Sequence, residues 1–195
     1  MRDSAMAEGE GFEPSEPCGS LVFKTSAFNH SATPPCAGKC SMRGMDADEI
    51  YMRMALDEAR SAESIGEVPI GAVVVCEGAV VARGHNRREI DSDPAGHAEF
   101  IAIREASRKL GRWRLADCTV YVTLEPCPMC AGLMHQARIA RLVYGVSDPK
   151  AGAVGTLYDL SNDERLNHRF DVTRGVCEAE AGAMLSDFFR RLRER

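Results

Sequence analysis

Two short segments of the sequence, 97–99 and 125–130, hold the side chains that could perform metal-assisted chemistry. Cys127 and Cys130 are three positions apart, so on the first turn of a helix both sulfurs would point to one side and could hold one metal ion. The positive end of a helix also favours thiolate over thiol. His97 would supply a third ligand, a neutral nitrogen. Three ligands of this type suit zinc and leave one position for water, which is typical of a catalytic site.

Glu99 lies two residues after His97, where a carboxylate could move protons without binding the metal. Zinc lowers the pKa of a bound water toward about 7, so that hydroxide is available at neutral pH. Taken separately, the segments have simpler interpretations: a Cys-x-x-Cys is often a redox pair or half of a four-cysteine zinc site, and a His-x-Glu is often plain surface. The sequence has no second Cys-x-x-Cys, which disfavours a four-cysteine site. Together, the segments predict a catalytic metal site.

The composition fits one globular domain with an excess of residues at one end. The chain has 195 residues, 45% of them apolar, and no apolar run approaches the ~18 residues of a membrane span. The eight cysteines are scattered, and without a recognisable secretory signal they predict a cytoplasmic protein. The net charge of −5 argues mildly against nucleic acid binding. Arginines crowd the last residues of the chain, but from charge alone a solvated helix face is the simpler interpretation.

Residues 1–44 differ in composition from the rest of the chain. They are rich in Gly, Pro and Ser and show no sustained hydrophobic period, which predicts disorder or a linker. Back-translation offers a second interpretation, because 11–14 and 27–32 can be encoded by strings that resemble the complements of tRNA T-arm and D-arm sequences. We therefore expect translation to start near Met42 or Met45, with 1–44 a disordered or spurious extension and 45–195 the folded domain.

The hydrophobic pattern after residue 45 alternates between helices and strands. Residues 83–87 are expected to leave the sheet as a loop, and Phe100, Ile101 and Ile103 to point into the core. This order predicts an α/β layered domain with a partly parallel sheet, and it places both metal-binding segments at helix starts at one end of that sheet. Helices are predicted at 46–65, 97–110, 128–137 and 181–193, and strands at 69–76, 79–82, 119–124, 141–146 and within 169–175.

From about Asp46 to Arg195 the sequence resembles the bacterial tRNA-specific adenosine deaminases of the cytidine deaminase superfamily. The order His-x-Glu, then Pro-Cys-x-x-Cys, is the signature of the zinc deaminases as a whole, so it indicates the chemistry and not the substrate. Two other stretches favour the tRNA branch, Asn-His-Arg at 167–169 and Ser-Asp-Phe-Phe-Arg at 186–190. The resemblance also extends over the segments 67–72, 84–87, 123–132 and 148–152.

The resemblance implies a three-layer α/β/α cytidine-deaminase-like fold with a mixed central sheet, a homodimer and one Zn²⁺ ion per subunit. The implied reaction is the hydrolytic conversion of the wobble adenosine in a tRNA anticodon stem-loop to inosine, with no membrane partner. His97, Cys127 and Cys130 would hold the zinc. Glu99 would shuttle the protons.

The resemblance also implies contacts with the RNA. Asn86 would face the flipped base and its ribose, and Asp148 would contact the neighbouring nucleotide. Phe188, Phe189 and Arg190 would lie along the RNA path on the last helix. Structural alternatives stand beside these roles: Asn86 could satisfy loop backbone, Asp148 could start a turn, and the two phenylalanines could belong to the core.

Three other functions are consistent with parts of the sequence. A guanine or cytosine deaminase acting on a free nucleobase would carry a very similar Pro-Cys-x-Met-Cys segment, and the arginine-rich last helix argues only weakly against it. A zinc scaffold without catalytic activity would not need a carboxylate at Glu99. A riboflavin-type bifunctional deaminase is less favoured, because only two residues separate the cysteines here.

Overall fold

A computed structural model of the protein describes residues 46–194, so our predictions for 1–44 lie outside the described residues. None of the helices in the described part combines the length and the apolar composition that a bilayer crossing requires. The predicted bounds of α3 and β4 are confirmed. The elements are α1 (Ala47–Ser64), β1 (Gly71–Cys76), β2 (Ala79–His85), α2 (Ala98–Leu110), β3 (Cys118–Leu124), α3 (Pro128–Ala137), β4 (Arg141–Val146), β5 (Asp171–Thr173) and α4 (Glu178–Arg193).

The five strands form one mixed sheet in the order β2-β1-β3-β4-β5. The strand β1 is antiparallel to both of its neighbours, whereas β3, β4 and β5 run parallel. The hairpin between β1 and β2 turns at Glu77 and Gly78, both with positive φ. Because β3 and β4 are parallel neighbours, both strands end at the same edge of the sheet, and the loops that follow them lie side by side.

Helices cover both faces of the sheet, and this confirms the predicted three-layer α/β/α fold. All six residues of β1 are buried, because alternate side chains enter different apolar clusters. Val73 and Val75 pack with Met52 and Ala55 of α1. The other side of the sheet packs against α2 and α3, whose buried side chains include Ala98, Ala102, Ile103, Ala106, Ala131 and Met134.

The helices α1 and α4 share one face of the sheet. Glu180 of α4 forms ion pairs with Arg60 and Arg53 of α1, at 2.6 and 3.3 Å. Arg191 near the end of α4 pairs with Glu63 at the end of α1. These pairs are largely exposed, so they fix the position of α4 more than they add to stability.

The strand β2 is longer than the sequence predicts, since Arg83, Gly84 and His85 continue the sheet instead of leaving it as a loop. Gly84 pairs with Ala72 of β1, and the backbone of α2 packs directly on it. A Cβ atom at this position would lie 2.6 Å from the carbonyl oxygen of Ala98. The glycine therefore serves a close helix–strand contact and not a turn.

The inner face of α2 is also narrower than we predicted. Ile103 is buried as expected, but Phe100 and Ile101 are only half-buried. Small side chains take the positions nearest the sheet, as Ala98 and Ala102 do. The close approach at Gly84 leaves no room there for a larger residue.

Candidate active site

His97, Cys127 and Cys130 form one cluster at the edge of the sheet where two helices begin. His97 is the N-cap residue of α2, Cys127 is the N-cap residue of α3, and Cys130 lies in the first turn of α3. The His97 Nδ1 atom lies 3.7 Å from Cys127 Sγ and 3.5 Å from Cys130 Sγ. The ligand atoms of all three residues lie within 4.8 Å of one another, which makes the cluster a candidate metal site.

Cys127 is the more acidic of the two thiols in this cluster. Hydrogen bonds from Cys130 and His97 lower the pKa of the Cys127 thiol to about 4 despite its partial burial. The same contact with Cys127, together with burial, raises the pKa of the Cys130 thiol. The hydrogen bond with Cys127 likewise raises the pKa of His97. Two helix N-termini aimed at the cluster favour negative charge there.

Glu99 lies in the first turn of α2, next to the cluster, and is 4% exposed. Burial raises the pKa of its carboxyl to about 7, in spite of the opposing effects of nearby backbone, His97 and Cys130. A carboxyl with this pKa gains and loses protons readily at neutral pH. Its place beside the candidate ligands is the one that the spacing from His97 predicts.

Asn86 is buried just beyond the end of β2, and a second buried residue holds its side chain. The Asn86 Nδ2 atom donates to Glu67 Oε2 at 3.0 Å, and the other oxygen of Glu67 accepts from the backbone N–H of Ile90 at 2.7 Å. The side chain of Asn86 is therefore held by a carboxylate and not by loop backbone. Glu67 lies in the segment 67–72 of the family resemblance, but the sequence predicts no role for it.

Glu125 is a second buried carboxylate that sequence reasoning missed. It is 2% exposed, and its partners all belong to the loop after β4. The backbone N–H groups of Asp148, Thr156 and Val154 donate to it at 3.0, 3.1 and 3.2 Å, and the Thr156 hydroxyl donates a further bond. Its position two residues before Cys127 was the available signal, since an acidic residue at the end of an apolar strand needs partners when it is buried.

Asp148 and Phe189 line the same groove, which has a volume of about 600 Å³. Asp148 also forms the predicted turn, since its Oδ1 atom accepts from the backbone N–H of Lys150 at 2.8 Å. Phe189 is 41% exposed, so it is not plain core. The groove is further lined by Val68, Leu124, Val146, Lys150, Leu185 and Arg193.

Phe188 and Arg190 lie on other sides of α4 than the groove. Phe188 is half-buried and lines a depression with Glu63 and Gly66. Arg190 is exposed and pairs with Asp187 at 2.7 Å. The structure thus places two of the five predicted RNA-contacting residues in one groove and these two outside it, although the rings of Phe188 and Phe189 meet edge to face with centroids 5.5 Å apart.

Comparison with known proteins identifies the family to which the site belongs. The family of MafB19-like deaminases matches residues 45–193. A tRNA-specific adenosine deaminase of Bacillus subtilis (strain 168) is 52% identical over 151 residues, which cover 77% of this chain and 94% of that relative. This chain belongs to the tRNA-specific adenosine deaminase family. The resemblance predicted from the sequence is confirmed, and the protein is a hydrolytic deaminase.

Two solved structures with this fold come from deaminases that act on different substrates. One comes from work on A-to-I editing by tRNA:A34 deaminases at the wobble position of transfer RNA; it is 46% identical, has a TM-score of 0.68, and covers 70% of this chain and 99% of its own. The other is a guanine deaminase from Nitrosomonas europaea, 26% identical with a TM-score of 0.62, covering 75% and 86% of the two chains. The tRNA-specific adenosine deaminase family is therefore the better match, and the free-nucleobase alternative is less well supported.

Proposed function

We propose that this tRNA adenosine deaminase converts the wobble adenosine of a tRNA anticodon to inosine. The observation that carries the proposal is the difference in similarity between two relatives of the same fold, 46% identity to a tRNA:A34 deaminase against 26% to a guanine deaminase. The zinc-deaminase signature alone would not separate these substrates. The anticodon stem-loop is the part of the tRNA that we expect the enzyme to bind.

We assign one zinc ion per subunit to His97, Cys127 and Cys130. Zinc prefers an imidazole nitrogen with two sulfurs as donors, and these donors lie within 4.8 Å of one another. The lowered pKa of Cys127 supports the assignment, because a thiol must lose its proton to bind a metal. When bound, the ion would supply water that is acidic enough to ionise at neutral pH.

Glu99 is the residue that we expect to move protons. Its carboxylate accepts a proton from the water that attacks C6 of adenine, and then delivers protons to the ring nitrogen and to the departing ammonia. One group serves both directions because burial brings its pKa to about 7. Its buried position also keeps bulk water away from the exchanged protons.

We expect the target adenine to leave the anticodon stack, because Cys130 and Glu99 are buried and a base that stays stacked could not approach them. Asn86, held by Glu67, is positioned to face the flipped base and ribose. Asp148 and Phe189 would hold the neighbouring nucleotide in their shared groove. Phe188 and Arg190 remain predicted RNA contacts. The bound RNA would have to extend beyond the groove to reach them on the other sides of α4.

Three further proposals rest on the family resemblance and the sequence. We propose a homodimer, a cytoplasmic location, and a functional chain that begins near Met42 or Met45. Light scattering tests the first: a dimer has twice the 21.3 kDa of the chain.

Mass spectrometry of the natural protein and the upstream nucleotide sequence test the proposed start of the chain. The proposal of a spurious extension fails if peptides from 1–44 occur in the cell.

The direct test is inosine formation on an anticodon stem-loop with adenosine at the wobble position. Free adenosine, guanine and cytosine serve as parallel substrates, and the Glu99→Ala variant controls for contaminating deaminases. We expect inosine on the stem-loop alone. Turnover of only a free base would keep the roles of the cluster and Glu99 but discard the RNA contacts.

A further inference from the structure

Cys76 and Cys118 face each other across the antiparallel pair of β1 and β3, far from the candidate active site. The register pairs the two residues directly, at the end of β3 opposite to the one that leads to Cys127. Both are free thiols, 8% and 0% exposed. Directly opposed residues of antiparallel strands have Cα atoms about 4.5–5.5 Å apart, a range that disulfides bridge.

The two sulfurs have different surroundings. The guanidinium of Arg112 lies 3.8 Å from Cys76 Sγ. Cys118 Sγ lies 3.6 Å from Asp117 Oδ1. Burial, together with the contact with Cys76, raises the pKa of the Cys118 thiol to about 12. A guanidinium thus lies beside one sulfur, and burial keeps the other as a thiol next to it.

Metal binding and plain core packing are the competing interpretations of this pair. The sulfurs and the Asp117 carboxylate lie within 4.8 Å of one another, which would allow a metal ion. However, both oxygens of Asp117 accept hydrogen bonds from Arg112 at 2.6 Å, so a cation would have to displace a guanidinium. Plain packing would account for the burial of the two thiols but not for a guanidinium placed 3.8 Å from Cys76 Sγ. These contacts favour thiol oxidation.

We propose that Cys76 and Cys118 form a peroxide-reactive dithiol, separate from the deaminase site, that closes into a reversible disulfide. A small hydroperoxide such as hydrogen peroxide fits the slight exposure of Cys76. This proposal does not depend on the proposed tRNA substrate.

The chemistry balances in two steps. The Cys76 thiolate attacks one peroxide oxygen, the O–O bond breaks, and hydroxide leaves to become water as it takes up a proton, which gives a sulfenic acid on Cys76. The Cys118 sulfur then attacks the Cys76 sulfur, the S–O bond breaks, and the leaving oxygen departs as a second water with the thiol proton. Two thiols are oxidised to one disulfide, and one hydrogen peroxide is reduced to two waters.

The test exposes the full-length protein to hydrogen peroxide, blocks remaining thiols, and maps peptides by mass spectrometry without reduction. We expect a peptide pair joined through Cys76 and Cys118, two hydrogens lighter than the separate peptides and released by a thiol reductant. The Cys76→Ser variant should lose the joined pair, whereas Cys177→Ser should keep it. The Arg112→Gln variant should form it about tenfold more slowly, because the charge beside the attacking sulfur is gone.

Different results would overturn the proposal. Free Cys76 and Cys118 after a treatment that oxidises other thiols would rule it out, as would sulfinic or sulfonic acids without the joined pair. A joined pair that forms equally fast in Arg112→Gln would remove the role of that residue. Inosine formation by the Cys76→Ser variant without peroxide should equal that of the wild type, because the pair lies at the opposite end of β3 from the candidate site.

Discussion

The carboxylate of Glu125 accepts a hydrogen bond from the backbone N–H of Asp148 over 3.0 Å. The same carboxylate receives the N–H groups of Val154 and Thr156, so one buried side chain holds both ends of the loop that carries Asp148. Glu125 also lies two residues before Cys127. The loop and the candidate metal cluster are therefore positioned by one short segment, and a change in that segment should affect RNA binding.

Replacement of Glu125 by Gln is expected to weaken RNA binding more than it slows the reaction. The side-chain amide of Gln would point its own N–H groups at the backbone N–H donors of the loop. The buried donors left unpaired would cost about 1–3 kcal/mol. We expect KM for the stem-loop to rise roughly tenfold or more, while kcat and zinc content change little. The exposed Glu164 gives a matched control, Glu164→Gln. A fall in kcat at unchanged KM would contradict a positioning role.

Replacement of Glu99 by Gln or Ala should abolish turnover and leave binding intact. The loss of a group that transfers protons in both directions should slow the reaction by roughly 10²–10⁴-fold or more. Single-turnover rates, stem-loop affinity and zinc content measured on one preparation would check this. Substantial turnover by Glu99→Ala would mean that another group moves the protons.

Replacement of Cys127 by Ala should remove the metal itself. Two remaining ligands hold zinc far more weakly than three, so elemental analysis after dialysis should find little zinc. Cys177→Ser is the control, since Cys177 is a half-buried thiol at the start of α4. A full zinc content in Cys127→Ala would show that Cys127 is not a ligand.

The ion pair of Asp48 with Arg141 should make the free energy of unfolding depend on pH. Burial alone would raise the pKa of the Asp48 carboxyl, but the hydrogen bonds from Arg141 and Tyr121 outweigh it and hold the pKa below its usual value. A carboxyl with a lowered folded-state pKa stabilises the fold above its unfolded pKa of about 3.9, and this contribution is lost as the pH falls through the folded value.

Asp48→Asn should therefore be less stable than the wild type at pH 7. Arg141 binds both Asp48 oxygens, at 2.6 and 3.0 Å, but is 34% exposed, so screening keeps the difference near 1–2 kcal/mol, roughly. Urea denaturation at pH 7 and at progressively lower pH measures the difference. It should narrow below about pH 4. A difference that grows on acidification would contradict the sign of the shift.

The sequence was most informative where local signals coincide with tertiary contacts. Pro128 marks the start of α3, and the bounds of α3 and β4 were predicted correctly because helix signals and apolar runs agree there. The loop predicted around Gly84 was wrong, because a glycine that allows a helix to pack closely cannot be distinguished in sequence from a glycine in a turn. The difference depends on α2, which comes later in the chain.

The residues of the candidate site also differ in how well the sequence predicts their roles. His97, Glu99, Cys127 and Cys130 could be recognised because their residue types and spacing are specific to one chemistry. The role of Glu125 was missed, because an acidic residue at the end of an apolar strand is a weak signal and its donors lie more than twenty positions away. The rings of Phe188 and Phe189 meet edge to face with centroids 5.5 Å apart, yet the two residues line different depressions, since neighbouring residues on a helix point about 100° apart. The motif alone does not show this difference.

The division of the candidate ligands between two helix starts has a consequence for biogenesis. His97 cannot meet Cys127 and Cys130 until α2 and α3 are docked on the sheet, so an ion held by all three would bind the native chain far better than the nascent one. Affinity for zinc would then contribute directly to the cooperativity of folding. Cells short of zinc should accumulate less of the protein, because a larger fraction would be open to proteases at any moment.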